Sequence, residues 1–251
     1  MDPAGARGEQ LEGEGVQSEN KSKKKRRLGA VLVAVGALAV LVVVAGVVLL
    51  ATHAPYKQPS GSMWPTFEMG TTFAATRLDR TPVRGSVIVF EYPERPEQLF
   101  AKRVVAMPGD TLEIRGDAVI VNGWEVPKCR VGTASYADAL EGTTHTGDLF
   151  VEWLADVSYL VFYEPQVLMA ELQGPYHAKA GEYWVLGDNR ANSHDSRMWW
   201  GGQGGGVPAK NVVARARTPD VPTLPPGNES LQGALEVCLA KKPGETRPPA
   251  P

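Results

Sequence analysis

Cysteine and histidine are scarce. The 251 residues hold two cysteines and four histidines. Neither type falls at metal-ligand spacing: Cys129 and Cys238 are far apart, and His53, His145 and His177 are scattered. No metal or other cofactor is implied. No glycine loop sits at a strand-to-helix turn to cradle phosphate; Gly201-Gly202 and Gly204-Gly205-Gly206 follow Trp200 in a loop. A net charge of −2 gives no reason to expect a nucleic-acid partner. No segment repeats. Residues 28–51 lack every charged and polar side chain, which excludes an amphipathic soluble helix there.

What that stretch offers instead is a membrane span. It has 24 residues, against the roughly 20 a helix needs to cross the hydrocarbon core. A cleaved secretory signal has a shorter apolar region, about 7–15 residues. The nearest small-x-small site, Thr52-His53-Ala54, also runs into Pro55. The stretch therefore reads as a retained anchor in a lipid bilayer. Lys21, Lys23, Lys24, Lys25, Arg26 and Arg27 precede it, while only Lys57 follows closely. This asymmetry keeps the N-terminus in the cytoplasm and sends everything after residue 52 outside. Both cysteines then lie in a compartment that permits disulfides. A bridge and two separate buried thiols fit the sequence equally well.

Residues 1–27 have almost no apolar content and read as a disordered cytoplasmic tail. From residue 67 the signals are β. Strands are expected at 73–77, at 85–90, where a β-branched run is bounded by turn residues, and at 99–107. Residues 92–97, with two prolines, read as a loop. A meander over 112–126 turns at Asn122-Gly123, the strong two-residue hairpin signal. Residues 128–148 carry no clear pattern. A hairpin broken near Asp156 is expected over 150–163, then strands at 182–186 and 211–217. Residues 218–251 read as a proline-rich tail. In it Asn228 caps a short helix with Leu231, Leu235, Cys238 and Leu239 on one face, and the last residues are disordered. The fold class is mostly β: a β-rich ectodomain over 52–217 on one N-terminal transmembrane helix.

Three stretches carry chemistry. In Pro59-Ser60-Gly61-Ser62-Met63-Trp64-Pro65-Thr66 two prolines bracket two serines around a glycine. The prolines stiffen the backbone, and Gly61 lets it approach another group closely. An extended linker leaving a bilayer would read the same way. A serine nucleophile also needs a base. In the strand at 99–107 alternation places Lys102 with Phe100, Val104 and Ala106. Burial there would lower its pKa and yield a neutral amine able to take the Ser62 proton. A lysine that buries its stem and wets its ammonium fits that strand as well. The third stretch, Gly187-Asp188-Asn189-Arg190-Ala191-Asn192-Ser193-His194-Asp195-Ser196-Arg197, is dense in pairing groups. Asp188 with Arg190, and Asp195 with Arg197, would tie a loop rigidly. His194-Asp195 beside serines invites a Ser-His-Asp triad, but neighbours in extended backbone point apart.

These stretches, in this order behind one anchor, resemble the bacterial type I signal peptidases, with coverage from the anchor to about residue 217. The resemblance implies a serine endopeptidase that removes signal peptides from exported preproteins at the outer face of the bacterial cytoplasmic membrane. By that likeness Ser62 is the nucleophile and Lys102 the general base. Ser60 lends its hydroxyl to the oxyanion hole beside the Ser62 N–H. Ser193 orients the lysine, and Asp188, Arg190, Asp195 and Arg197 brace the site. The fold implied is a β-rich catalytic core with a second, variable β region over about 112–180. Gln58 and Ala101 stand where that family has apolar and bulky aliphatic residues lining the substrate pockets. Their presence puts the usual Ala-x-Ala preference in doubt, though not the reaction.

Overall fold

The structure, a computed structural model, describes residues 5–138, 140, 142–165 and 172–251. The chain divides into two units, residues 1–51 and 52–251. The first is dominated by helix α1, Gly5–Thr52. Its segment Gly29–Leu49 is long and apolar enough to cross a membrane. The expected disordered tail is corrected in part. Residues 1–4 lie outside the described residues, but 5–27 continue the helix. Low apolar content forbids a packed core, not a helix. Glu, Gln, Lys and Arg are good helix formers, and extending an existing helix avoids the cost of nucleation.

The second unit is mostly β. In chain order its strands are β1 (His53–Lys57), β2 (Thr72–Thr76), β3 (Val87–Tyr92), β4 (Arg95–Ala106), β5 (Thr111–Arg115), β6 (Ala118–Val121) and β7 (Trp124–Glu125). These are followed by β8 (Lys128–Asp138), β9 (Thr143–Leu154), β10 (Val157–Tyr163), β11 (Leu172–His177), β12 (Glu182–Leu186), β13 (Val207–Pro208) and β14 (Val212–Ala216). A helical turn α2 (Trp199–Gly202) lies before β13, and α3 (Gln232–Ala240) lies near the C-terminus. A seven-stranded sheet runs in the order β1-β2-β14-β3-β4-β12-β13. Two smaller sheets, β10-β9-β8 and β11-β5-β6-β7, use residues from 111 to 177.

Four sequence expectations change. The loop at 92–97 is a tight hairpin, because Tyr92 pairs with Arg95 across Pro93-Glu94. Pro93 sits in the turn, where a missing N–H costs no ladder bond. Pro96 lies on a stretch of β4 that β12 does not reach. Residues 128–148 supply all of β8 and the start of β9, and those strands pair from Lys128↔Glu152 to Asp138↔Thr143. Small and polar side chains hid the alternation. The C-terminal end is ordered against the domain. Thr246 and Ala155 exchange two hydrogen bonds, and Asn122 Nδ2 donates to Pro249 O at 2.8 Å. Asn228 does not cap the helix; its amide pairs with both backbone groups of Ser135.

The core lies in four contiguous patches. One fills the space between the β11-β5-β6-β7 sheet and Val105, Leu154, Tyr159 and Leu186. Another joins Trp64 to β8, β9, β10 and α3, and the remaining two cover opposite faces of the large sheet. Cys129 and Cys238 are joined in a disulfide that ties α3 to β8.

Candidate active site

Ser62 lies in a single 3-10 turn, Gly61–Met63, all of it buried. Its N–H, within the first turn, has no acceptor inside the helix and faces outward from it. Gly61 is the close approach the sequence suggested: a Cβ there would stand 3.1 Å from the Tyr136 hydroxyl. Asn189 secures the same turn from the other side. Its N–H donates to Ser62 O at 3.2 Å and its Nδ2 to Gly61 O at 3.2 Å.

Lys102 stands on β4 opposite Ile88 of β3. The alternation holds, and the side chain is 4% exposed. Its Nζ is 2.6 Å from Ser62 Oγ and 5.5 Å from the Phe100 ring centre. Burial lowers the lysine pKa to about 8, while the carboxylates of Asp195 and Asp188 push it back up. The snorkelling alternative is thereby set aside, since the side chain is almost wholly buried.

Ser60 Oγ donates to Ser62 Oγ at 3.1 Å. Gln58 is buried beneath it; its Nε2 donates to Ser60 O at 2.8 Å and, more weakly, to Ser60 Oγ at 3.4 Å. A donor on the Ser60 oxygen leaves the hydroxyl proton free to point toward Ser62. These groups line a cleft of ≈ 270 Å³ together with Phe100, Ala101 and Lys102.

The third stretch packs behind this pair, with one expected ion pair made and one replaced. Asp195 holds Arg197 through two bonds of 2.8 Å and accepts the Gly187 N–H at 2.9 Å. Burial pushes the Asp195 carboxyl up, but Arg197, the Gly187 N–H and Ser193 together outweigh it and leave the pKa below its ordinary value. Asp188 does not pair with Arg190. Its carboxylate takes Arg103 Nε at 2.8 Å and Nη2 at 2.6 Å, with Thr66 Oγ1 at 2.5 Å. Arg190 goes instead to Glu152 of β9, at 2.9 and 2.6 Å. The reason is topological. Backbone bonds between 188–190 and Phe162 of β10 set this segment between two sheets, so each side chain meets a partner from a different one.

Ser193 also departs from expectation. Its hydroxyl is buried against Gly187, close enough to Asp195 to favour the carboxylate, but in hydrogen-bond geometry with nothing, Lys102 included. The seat is tight: a Cβ on Gly187 would lie 2.2 Å from Ser193 Oγ and 2.5 Å from Ser62 O. His194 is exposed and bonds Tyr92 Oη at 2.8 Å, while Asp195 is committed to Arg197. His194 and Asp195 therefore form no Ser-His-Asp triad.

A family model described as signal peptidase, peptidase S26, matches residues 31–220. The chain belongs to the S26 signal peptidase family. Signal peptidase I of Pseudomonas fluorescens is 33% identical over 183 residues, covering 64% of this chain. Signal peptidase I of Pseudomonas aeruginosa is 34% identical over 183 residues, again 64% of this chain. The chain spans 62% of the length of both relatives. A solved signal peptidase I from Enterococcus faecalis V583, 28% identical, overlaps 53% of this chain and 95% of its own at a TM-score of 0.31, too low an agreement to bear on the fold.

Within this S26 chain, three residues near the site escaped the sequence reading. Arg103 had a signal: neighbours on a strand face opposite sides, so the residue beside a buried base must find its own partner. Glu152 had one too, as the lone carboxylate within Phe150-Val151-Glu152-Trp153-Leu154, since a buried carboxylate requires a cation. Tyr136 had none, because its strand lacked an apolar pattern.

Proposed function

We propose that this protein is a membrane-anchored serine endopeptidase that removes N-terminal signal peptides from exported preproteins, using Ser62 as nucleophile and Lys102 as general base. The observation that carries the reading is the 2.6 Å contact between Lys102 Nζ and Ser62 Oγ on a lysine removed from water. An amine with a pKa near about 8 is in part unprotonated at neutral pH, which a free lysine is not.

In the proposed sequence Ser62 Oγ attacks the scissile carbonyl carbon and its proton passes to Lys102 Nζ. The oxyanion is met by the Ser62 N–H and the Ser60 hydroxyl. Collapse breaks the C–N bond, and the Lys102 ammonium returns the proton to the departing amine. Water, deprotonated by Lys102, then attacks the acyl ester; the C–Oγ bond breaks, Lys102 returns the proton to Ser62 Oγ, and the signal peptide leaves as an acid that ionises to its carboxylate.

The free edge of β4 supports an extended substrate. β12 pairs with β4 only from Arg103 onward, so residues 99–101 present unpaired backbone along the cleft. The apolar segment Gly29–Leu49 supports anchoring in a bilayer. The basic cluster before it favours a cytoplasmic N-terminus and a catalytic unit on the outer face of a bacterial cytoplasmic membrane. The Cys129–Cys238 bridge is consistent with that oxidising side.

The test is cleavage of a set of synthetic presequences by the purified full chain in detergent, with the new N-termini sequenced. Cleavage after small residues that vanishes in Ser62→Ala supports the reading. An intact, folded chain that cuts none of them refutes it.

A further inference from the structure

The C-terminal segment beyond residue 220 lies outside the family match, yet it grips one strand, β8, at several points leading up to a single tyrosine, Tyr136. Asn228 pairs with both backbone groups of Ser135, the residue before Tyr136. Leu231 fills the space over Gly132, where a Cβ would come within 2.7 Å of it. Leu235 and Cys238 are buried in the same core patch as Tyr136 and Trp64, and Cys238 is bonded to Cys129 of β8.

Tyr136 in turn touches the nucleophile turn and the Gly187–Arg197 stretch together. Its hydroxyl accepts Asn189 Nδ2 at 2.9 Å and Asn192 Nδ2 at 3.4 Å. Asn189 Nδ2 also reaches Gly61 O. The Tyr136 ring stacks on Trp64, two residues after Ser62, at 4.7 Å between centres. Trp64 and Gly61 flank Ser62 and Met63, so one side chain fixes both ends of the turn.

We propose that Tyr136 is a positioning residue for Ser62, and that the C-terminal segment, bridged by Cys129–Cys238, holds it in place. Tyr136 acts through Gly61, Trp64 and Asn189. By keeping the Gly61 and Ser62 carbonyls turned toward Asn189 it keeps the Ser62 N–H and Oγ turned toward the cleft. The inference rests on Ser62 being the nucleophile.

The test uses the full chain in detergent with two readouts. One is kcat and KM for a presequence peptide across a pH series. The other is the burst of p-nitrophenol from p-nitrophenyl acetate, in which Ser62 Oγ takes the acetyl group, p-nitrophenolate leaves and Lys102 holds the proton, with Ser62→Ala as blank. Tyr136→Phe keeps the ring and removes the acceptor. It should lower kcat and the burst rate about tenfold, roughly what one hydrogen bond carries, with KM within about twofold and the pH midpoint unmoved. The Cys129→Ser/Cys238→Ser pair and Asn228→Ala, both remote from the cleft, should shift kcat in the same direction by less. A Tyr136→Phe enzyme with full kcat, or one altered in KM alone, overturns the proposal. So does an unchanged kcat in both tail variants. If the wild-type chain cuts no presequence but shows the Ser62 burst, the substrate assignment fails and the burst rates alone judge Tyr136. If there is no burst either, both fall.

Discussion

Lys102 and Arg103, neighbours on β4, face opposite sides of one sheet and serve two different partners. Lys102 reaches Ser62 Oγ at 2.6 Å on the cleft side. Arg103 takes the Asp188 carboxylate on the other, and its guanidinium lies 3.8 Å from the Tyr159 ring centre. A charged pair behind the strand thus stiffens the segment that carries the base, without neutralising the base itself.

The pH profile follows from the lysine. Burial sets its pKa to about 8, so the active, unprotonated form is gained as pH rises through that value. kcat/KM for a presequence peptide should climb about tenfold per pH unit below the midpoint and level off above it. A profile flat from about pH 6 to 9 would remove Lys102 as the base.

The same shift makes a stability prediction. The unfolded chain keeps this proton up to the ordinary value of 10.5, while the fold releases it near about 8. Between those values the unfolded state binds more protons, so stability rises with pH; below them the fold bears the full cost. Lys102→Met should therefore stabilise the protein by about 1–3 kcal/mol near pH 6.5, with the gain shrinking by about pH 9.5. Urea unfolding at both pH values measures it. No gain at the lower pH contradicts the buried-lysine account.

Glu152 and Arg190 form a buried pair, each 1% exposed. Glu152→Gln leaves the guanidinium without its counter-charge and should cost about 3–5 kcal/mol, whereas Glu152→Leu with Arg190→Met should recover most of it. Denaturant midpoints of the three proteins decide. Equal losses in the single and double variants would mean that the packing, not the charge pair, matters.

Ala101 and Gln58 face the same cleft. In the proposed reaction the small Ala101 side chain should admit larger residues at the third position before the cut. Ala101→Ile should narrow that range, and Gln58→Leu should reduce acceptance of polar residues. Profiling with a peptide library tests both; unchanged preferences would show that neither residue shapes the pockets.

Much of this was legible in the sequence, for identifiable reasons. The apolar segment declared itself by what it lacks. Lys102 was found because period-two alternation survives in 99–107, and Asn122-Gly123 takes the positive φ values its turn demands. The partners of Asp188 and Arg190 were not legible. Local pairing two residues apart was the nearest guess, but each side chain answers to a strand far away in sequence. Tyr136 and the β8–β9 hairpin were hidden for a different reason. Gly, Ser, Thr and Ala carry little hydrophobic signal, and that hairpin's stability comes from pairing and from α3, which only the fold brings near. The ordered C-terminus is held by backbone acceptors, which no side-chain pattern reports.

The most direct measurement compares presequence turnover by Lys102→Arg and His194→Ala, each folded and inserted as the wild type is. A guanidinium stays protonated and cannot accept the Ser62 proton, so Lys102→Arg should be inactive. His194, exposed and bonded to Tyr92, should be dispensable to within a few-fold. An active Lys102→Arg enzyme, or an inactive but folded His194→Ala one, would contradict the serine–lysine account.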